Sequence, residues 1–300
     1  MPPGHCAVPV LWPYLLPTQA PARLLVAAVD SGSRVDQSDS LVVASFAASH
    51  HYRALARLLK ACAGLLRQGS GLPKSAFRVA VNSDLPEKKL AVLGGLGFIG
   101  RSSLLVSRRF GPACLIGLLV LPAELLSPGG LSPEMLASGG ATSGETGLAD
   151  QLLAELTPGA GCGACRACQA ACPTQAIGDH GYQRPRCLQH WSGRQGCPAD
   201  IAAQRGSRLY GCDACIVACP YSAGRSPEEA LAAEARLLPV ERRSGRLVSA
   251  DWLAGAAPEE VKAFFRGTAL GFSWLPTAWL QDQARRFLER KVGARPAGGY

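Results

Sequence analysis

Twelve cysteines stand in this chain, and all except Cys6, Cys62 and Cys114 fall between residues 162 and 219. A stretch this rich in thiols must organise itself around whatever the thiols bind, so it constrains the fold more than any other part. The first run, CGACRACQAACP, sets Cys162, Cys165, Cys168 and Cys172 before Pro173. This is the C-x2-C-x2-C-x3-C-P spacing of chains with two [4Fe–4S] clusters, in which the fourth cysteine serves the other cluster. The second run, GCDACIVACP, is one cysteine short: with Cys219 and Pro220 as its close, Cys215 and Cys212 take the third and second places, and Leu209 stands in the first. Leucine cannot bind iron, so an eighth thiolate must come from elsewhere, and Cys187 and Cys197 in the intervening loop are both available. Adopting Cys187 gives Cys162, Cys165, Cys168 and Cys219 for one cluster, and Cys172, Cys187, Cys212 and Cys215 for the other.

Paired CxxC units also hold structural zinc. A tetrahedral zinc site takes four ligands, however, and has no use for three cysteines at successive three-residue spacing followed by a fourth and a proline. Disulfides are weaker still as a reading, because dense cysteine in a chain of this kind points to metal or redox chemistry. The N-terminal MPPGHCAVPVLWPYLLP has no basic n-region and is broken by prolines, which makes a poor signal peptide. The longest apolar run, Ala113 to Leu121, is far too short to cross a bilayer. The expectation is therefore a cytoplasmic protein without a membrane partner, with Cys6, Cys62 and Cys114 as buried small hydrophobes.

With 300 residues and 48% hydrophobic content the chain can fill a sizeable core. Its formal charge of +9 falls to about +5 once two clusters are counted, because each core with its four thiolates is a unit near −2. Arg184, Arg186, Arg194, Arg205 and Arg208 crowd the segment between the cysteine runs, with Asp200 the acidic residue among them. They are read either as a dock for a polyanion such as RNA or as donors that screen the anionic clusters.

Short β-rich runs at Leu24–Val29 and Phe77–Val81 flank a segment with Tyr52, Leu55, Leu59, Cys62 and Leu66 at helical spacing, a β–α–β pattern. Leu104–Val106 and Ala113–Val120 flank the turn-forming RRFGP and read as a hairpin. These elements predict an α/β domain over residues 1–150, with a Gly/Ser-rich connection at 127–147. A ferredoxin-type module with two [4Fe–4S] clusters follows over 155–225, then a helical segment over 226–300. That segment opens on SPEEALAAEARLL, with Ser226 as N-cap, Pro227 in the first position and Glu229 completing a capping box. Two more helices follow: APEEVKAFFRG, ending at Gly267, and TAWLQDQARRFLERKVG, capped by Thr277.

Gly95, Gly97 and Gly100 spell G-x-G-x-x-G, but a dinucleotide site requires a strand before the motif and a helix after it, and the residues that follow favour a hairpin. The glycines are read instead as backbone that passes close to a large flat ligand, or as a tight turn. Taken together and in order, LPEKKLAVLGGLGFIGRSSLLV, CGACRACQAACPTQAI, RPRCLQH, RLYGCDACIVACP and FFRGTALG resemble the epoxyqueuosine reductase family, cobalamin-dependent iron–sulfur enzymes of queuosine tRNA modification. The resemblance runs from about residue 40 to 275 and lacks the family's C-terminal helical repeats.

The resemblance implies a nitroreductase-like, α/β (α+β) cobalamin-binding domain under a two-cluster module, with Gly95, Gly97, Gly100 and Arg101 near the cofactor. It also implies Cys187 as the eighth ligand, because the family's lone cysteine follows arginines as in RPRC. A low-potential donor of flavodoxin or ferredoxin type and a tRNA substrate come with it. The family's proton-donating aspartate is met here by Asn82, so Asp84 is the candidate acid. Its carboxyl is expected to lie partly buried, with Asn82 and Asp84 on one face of an extended strand end. A plain two-cluster electron-transfer protein serving a partner enzyme is the alternative.

Overall fold

The computed structural model describes residues 2–14, 39–126, 151, 153–222, 247–271 and 273–293. In chain order the strands are β1 (His5–Pro13), β2 (Ser40–Val43), β3 (Arg78–Val81), β4 (Phe98–Ile99), β5 (Leu105–Val106), β6 (Cys114–Pro122), β7 (Ile177–Gly178), β8 (Gly181–Tyr182), β9 (Arg208–Tyr210) and β10 (Leu247–Ser249). The α-helices are α1 (His51–Ser70), α2 (Glu87–Leu93), α3 (Ala167–Ala171), α4 (Ala199–Ala203), α5 (Ala214–Val217), α6 (Ala250–Gly255), α7 (Pro258–Phe264) and α8 (Thr277–Gly293). No helix among the described residues is long and apolar enough to cross a membrane.

The first sheet has the order β1-β6-β3, antiparallel throughout. β6 is apolar along nearly its whole length and buried from Gly117 to Pro122, so it needs a partner on each edge. This corrects the expected hairpin. Leu105–Val106 is too short to serve β6 and pairs instead with Phe98–Ile99, while β6 pairs along its full length with β1, from His5 opposite Pro122 to Pro13 opposite Cys114. The proline-broken N-terminus is thus a strand. Pro9 and Pro13 are tolerated because β1 lies at the sheet edge, where a missing N–H breaks no second ladder.

Helix α1 lays Leu55 and Leu59 against this sheet, both fully buried, in a cluster with Trp12, Leu115, Leu119 and Leu121. Burial of such side chains contributes about 1.5–3 kcal/mol each. Residues 65–69 are all exposed, so Leu66 stands in solvent and the apolar stripe ends at Cys62 and Ala63. Gly71 then stops the helix in the left-handed region, its N–H bonded to the Arg67 carbonyl. Leu24–Val29, the 127–147 connection and the helix opening at Ser226 lie outside the described residues.

The second sheet, β10-β2-β9, joins the three expected segments. β2 runs parallel to β9, which leads into the second cysteine run, and antiparallel to β10, which leads into the C-terminal helices. The main core forms under it from Leu41, Val43, Leu209, Val248, Leu253, Val261, Phe265 and Leu280. At the start of α6, the Ser249 hydroxyl accepts from the Trp252 N–H. α7 ends before Gly267, and α8 includes Thr277 within its first turn.

Candidate metal centre

Two short helices carry the cysteine runs and pack on one another: α3 holds Cys168, and α5 holds Cys215. Cys162, Cys165, Cys168 and Cys219 line one cavity of about 130 Å³, with Cys215 on its wall. Its other side comes from the first half of the chain, through Gly100, Arg101, Ser102 and Val106. Burial raises the Cys219 thiol, and Cys162, Cys168 and Cys165 raise it further; burial followed by Cys162 does the same for Cys168.

A second group lies beside the first. Burial pushes the Cys215 thiol well up, reinforced by Cys212, Cys187, Cys168 and Cys172. Cys212 is raised by burial, with Cys187 among its neighbours. The Tyr182 hydroxyl is raised by burial and by a hydrogen bond to Cys187. Cys197 stands apart: its thiol is raised by burial, and its charged neighbours are Arg205 and Asp200 rather than other cysteines. The structure thus brings the eight assigned cysteines into two adjoining groups and leaves Cys197 out.

Cys168, Cys212, Cys215 and Cys219, crowded and desolvated, resist ionising on their own, and a cationic core that neutralises several thiolates at once relieves both costs. The donor set is all sulfur and the sulfurs surround a volume, which fits an iron–sulfur core. Among the described residues, no three Cys, His, Asp or Glu side chains converge closely enough to hold a single ion. Cys6, Cys62 and Cys114 are half-buried and lie on the first-sheet side of the molecule, with Cys6 Sγ donating to the Leu121 carbonyl at 3.6 Å.

Three side chains besides the cysteines hold the centre, and of these sequence reasoning placed only Arg186 beside the clusters. Arg101 reaches across from the glycine segment, its Nε donating to the Cys165 carbonyl at 3.0 Å and a terminal nitrogen to the Gly163 carbonyl at 2.6 Å. Arg186 donates to the Thr174 carbonyl at 3.0 Å, tying the loop before Cys187 to the turn after Cys172. Asp213 accepts from the Ser45 N–H at 2.8 Å and its hydroxyl at 2.7 Å, which fastens the second cysteine run to the end of β2. Only Arg186 had a legible signal, the RPRC context itself.

The glycine segment is preceded by helix α2, contains strand β4 and is followed by strand β5, the reverse of a dinucleotide site. At Gly97, with φ +152°, a Cβ would lie 2.2 Å from the Val106 carbonyl oxygen, and at Gly100 it would press on the Val106 side chain at 2.8 Å. These two glycines are therefore required by their own hairpin, and Arg101 is held by the cysteine loop. Gly95, at φ +71°, faces open space. Of the four residues expected near cobalamin, Gly100 and Arg101 line the cysteine cavity.

Asp84 is also corrected. Asn82 has φ 53°, in the left-handed region, so the segment is not extended and Asn82 and Asp84 do not share a strand face. The Asp84 carboxylate is 79% exposed and pairs with Arg78 at 2.9 Å, away from the cysteine cavity. The expected partial burial is missing. Of the five arginines between the cysteine runs, three are engaged by the fold: Arg186 as above, Arg208 on the Arg205 carbonyl at 3.2 Å, and Arg205 buried beside Cys197 and over the Trp279 ring.

The 4Fe-4S double cluster binding domain matches residues 161–222. The epoxyqueuosine reductase of Lactococcus garvieae is 30% identical over 142 residues, 47% of this chain and 33% of that protein. That of Escherichia coli is 30% identical over 150 residues, 49% of this chain and 32% of that protein. The matched stretch thus spans about a third of the curated relatives' length. Among solved structures, the epoxyqueuosine reductase of Streptococcus thermophilus superimposes with a TM-score of 0.64 at 21% identity, over 98% of this chain and 65% of that one. An epoxyqueuosine reductase in complex with an epoxyqueuosine-modified tRNA-Tyr stem loop gives 0.63 at 17%, over 97% and 65%. The chain resembles epoxyqueuosine reductases in sequence over about half of its length, and it shares their fold.

Proposed function

We propose that this chain is an iron–sulfur oxidoreductase of the epoxyqueuosine reductase type, acting on epoxyqueuosine in tRNA to give queuosine. The observation that carries the reading is the junction at Arg101, where the glycine segment that bears part of the resemblance is bonded directly to the loop of the first cysteine group. In this reading Cys162, Cys165, Cys168 and Cys219 hold one cluster, and Cys172, Cys187, Cys212 and Cys215 hold the other. When bound, the clusters supply one-electron carriers between a soluble low-potential donor of flavodoxin or ferredoxin type and the reducing site. Loss of the epoxide oxygen as water, leaving a carbon–carbon double bond, consumes two electrons and two protons.

The chain's own residues hold and shield this centre. Arg101 fixes the Gly163–Cys165 turn and leaves its positive charge on the cavity wall. Tyr221 lines the cavity, and Phe98 packs against it edge to face at 5.4 Å. The nitroreductase-like identity of the first half and its cobalamin are implied by the resemblance, and no step is assigned to that cofactor.

The test is turnover of an epoxyqueuosine-bearing stem-loop RNA by anaerobically reconstituted protein and a reduced flavodoxin-type donor, with and without added cobalamin. The expected product is queuosine, lighter by one oxygen in mass spectrometry. Fully iron-loaded protein that is inactive under both conditions, yet reduced by the donor, would leave the two-cluster electron carrier as the function.

A further inference from the structure

A recess lined by cationic side chains lies apart from the cysteine cavity and shares no lining residue with it. Between the start of α1 and α7 runs a groove of about 970 Å³. One wall carries His50, Arg53 and Arg57; the other carries Lys262 and, just past the end of α7, Arg266. No Asp or Glu among the described residues lines it. Arg53, Arg57, Lys262 and Arg266 are all exposed, and none of the four makes an ion pair or side-chain hydrogen bond with a described residue. Arg53 and Arg57 stand four apart on one helix, where like charges repel. Burial, then Arg53 and Arg57, holds the His50 pKa down.

Cations set on two facing walls without carboxylates to balance them make a place of high positive potential, focused further by the apolar floor between them. The groove is too large for one phosphate and open enough for a chain to pass through it. We propose that it docks the phosphodiester backbone of RNA. The proposal rests on the tRNA reading above and moves the docking surface away from the cysteine-segment arginines, most of which are engaged by the fold. The contacts are to phosphate, so they position the RNA and carry no base sequence.

The test uses reconstituted holo-protein and a labelled stem-loop RNA without the modification, with affinity read by anisotropy across a salt series. Arg53→Gln/Arg57→Gln and Lys262→Gln/Arg266→Gln should each weaken binding about tenfold and flatten the log-affinity against log-salt slope by between about 1 and 2. Arg53→Lys/Arg57→Lys, which keeps the charges, should retain the wild-type slope, and Arg184→Gln/Arg194→Gln should change neither quantity. Groove variants that bind RNA like wild type, or loss confined to Arg184→Gln/Arg194→Gln, would overturn the proposal. So would groove variants that lose an acidic flavodoxin-type protein while keeping RNA, or a charge-keeping variant as weak as the glutamine one. The probe carries no epoxide and nothing turns over, so failure here leaves the reductase reading standing, and inactive protein with intact docking does the reverse.

Discussion

The two cysteine groups are built by different means. The first takes three of its members from one run at three-residue spacing, closes with Cys219, and uses Arg101 from the first half of the chain to pin its loop. The second collects Cys172, Cys187, Cys212 and Cys215 from three separated stretches; Arg186 ties the first two together and Asp213 fastens the third to the end of β2. Local spacing therefore makes most of the first group, whereas tertiary contacts make the second. Substitutions outside the cysteines should damage the second group by loosening it and the first by changing its electrostatics.

The largest effect outside the ligands is expected from Asp213→Ala, which removes two hydrogen bonds from a charged acceptor and should cost about 3 kcal/mol. A lowered unfolding midpoint with faster iron loss checks it; unchanged stability would break the claim that this contact holds the second group. Arg186→Gln should cost less, about 1–2 kcal/mol, and release iron from one cluster ahead of the other under chelator challenge. Simultaneous release would contradict the asymmetry.

Arg101→Gln sharpens the other side of the comparison. Losing a positive charge on the wall of the first cavity disfavours the more negative, reduced cluster, so its midpoint potential should fall by on the order of tens of millivolts while the other holds. Potentiometric titration followed by EPR separates the two. Arg101→Lys should keep most of the potential. The smallest effect belongs to Cys197→Ala, which should leave iron content and both potentials within error, since no other cysteine lies beside it.

The cysteine region was largely legible because ligand spacing is a local property. The first run reads directly as metal chemistry, and the RPRC context marks Cys187. What could not be read were contacts made at long range: Asp213 on Ser45, Arg101 on the Gly163–Cys165 turn, and the sheet that joins β2, β9 and β10. The hairpin expectation failed because a nine-residue apolar strand found its partner at the start of the chain, in a segment whose prolines argue against strand until its edge position is known. Gly97 and Gly100 were noticed for the right property, absence of a side chain. What needs that absence is their own hairpin, which only coordinates reveal.

The central claim is that eight cysteines form two complete cluster sites, the second completed by Cys187. Iron and acid-labile sulfide should be counted, with EPR of the reduced state, on anaerobically reconstituted wild type, Cys187→Ala and Cys197→Ala. Wild type should hold about eight irons per chain and Cys197→Ala the same, while Cys187→Ala loses or converts one cluster and keeps the other. About four irons in wild type, or a cluster lost from Cys197→Ala and kept in Cys187→Ala, would contradict the account.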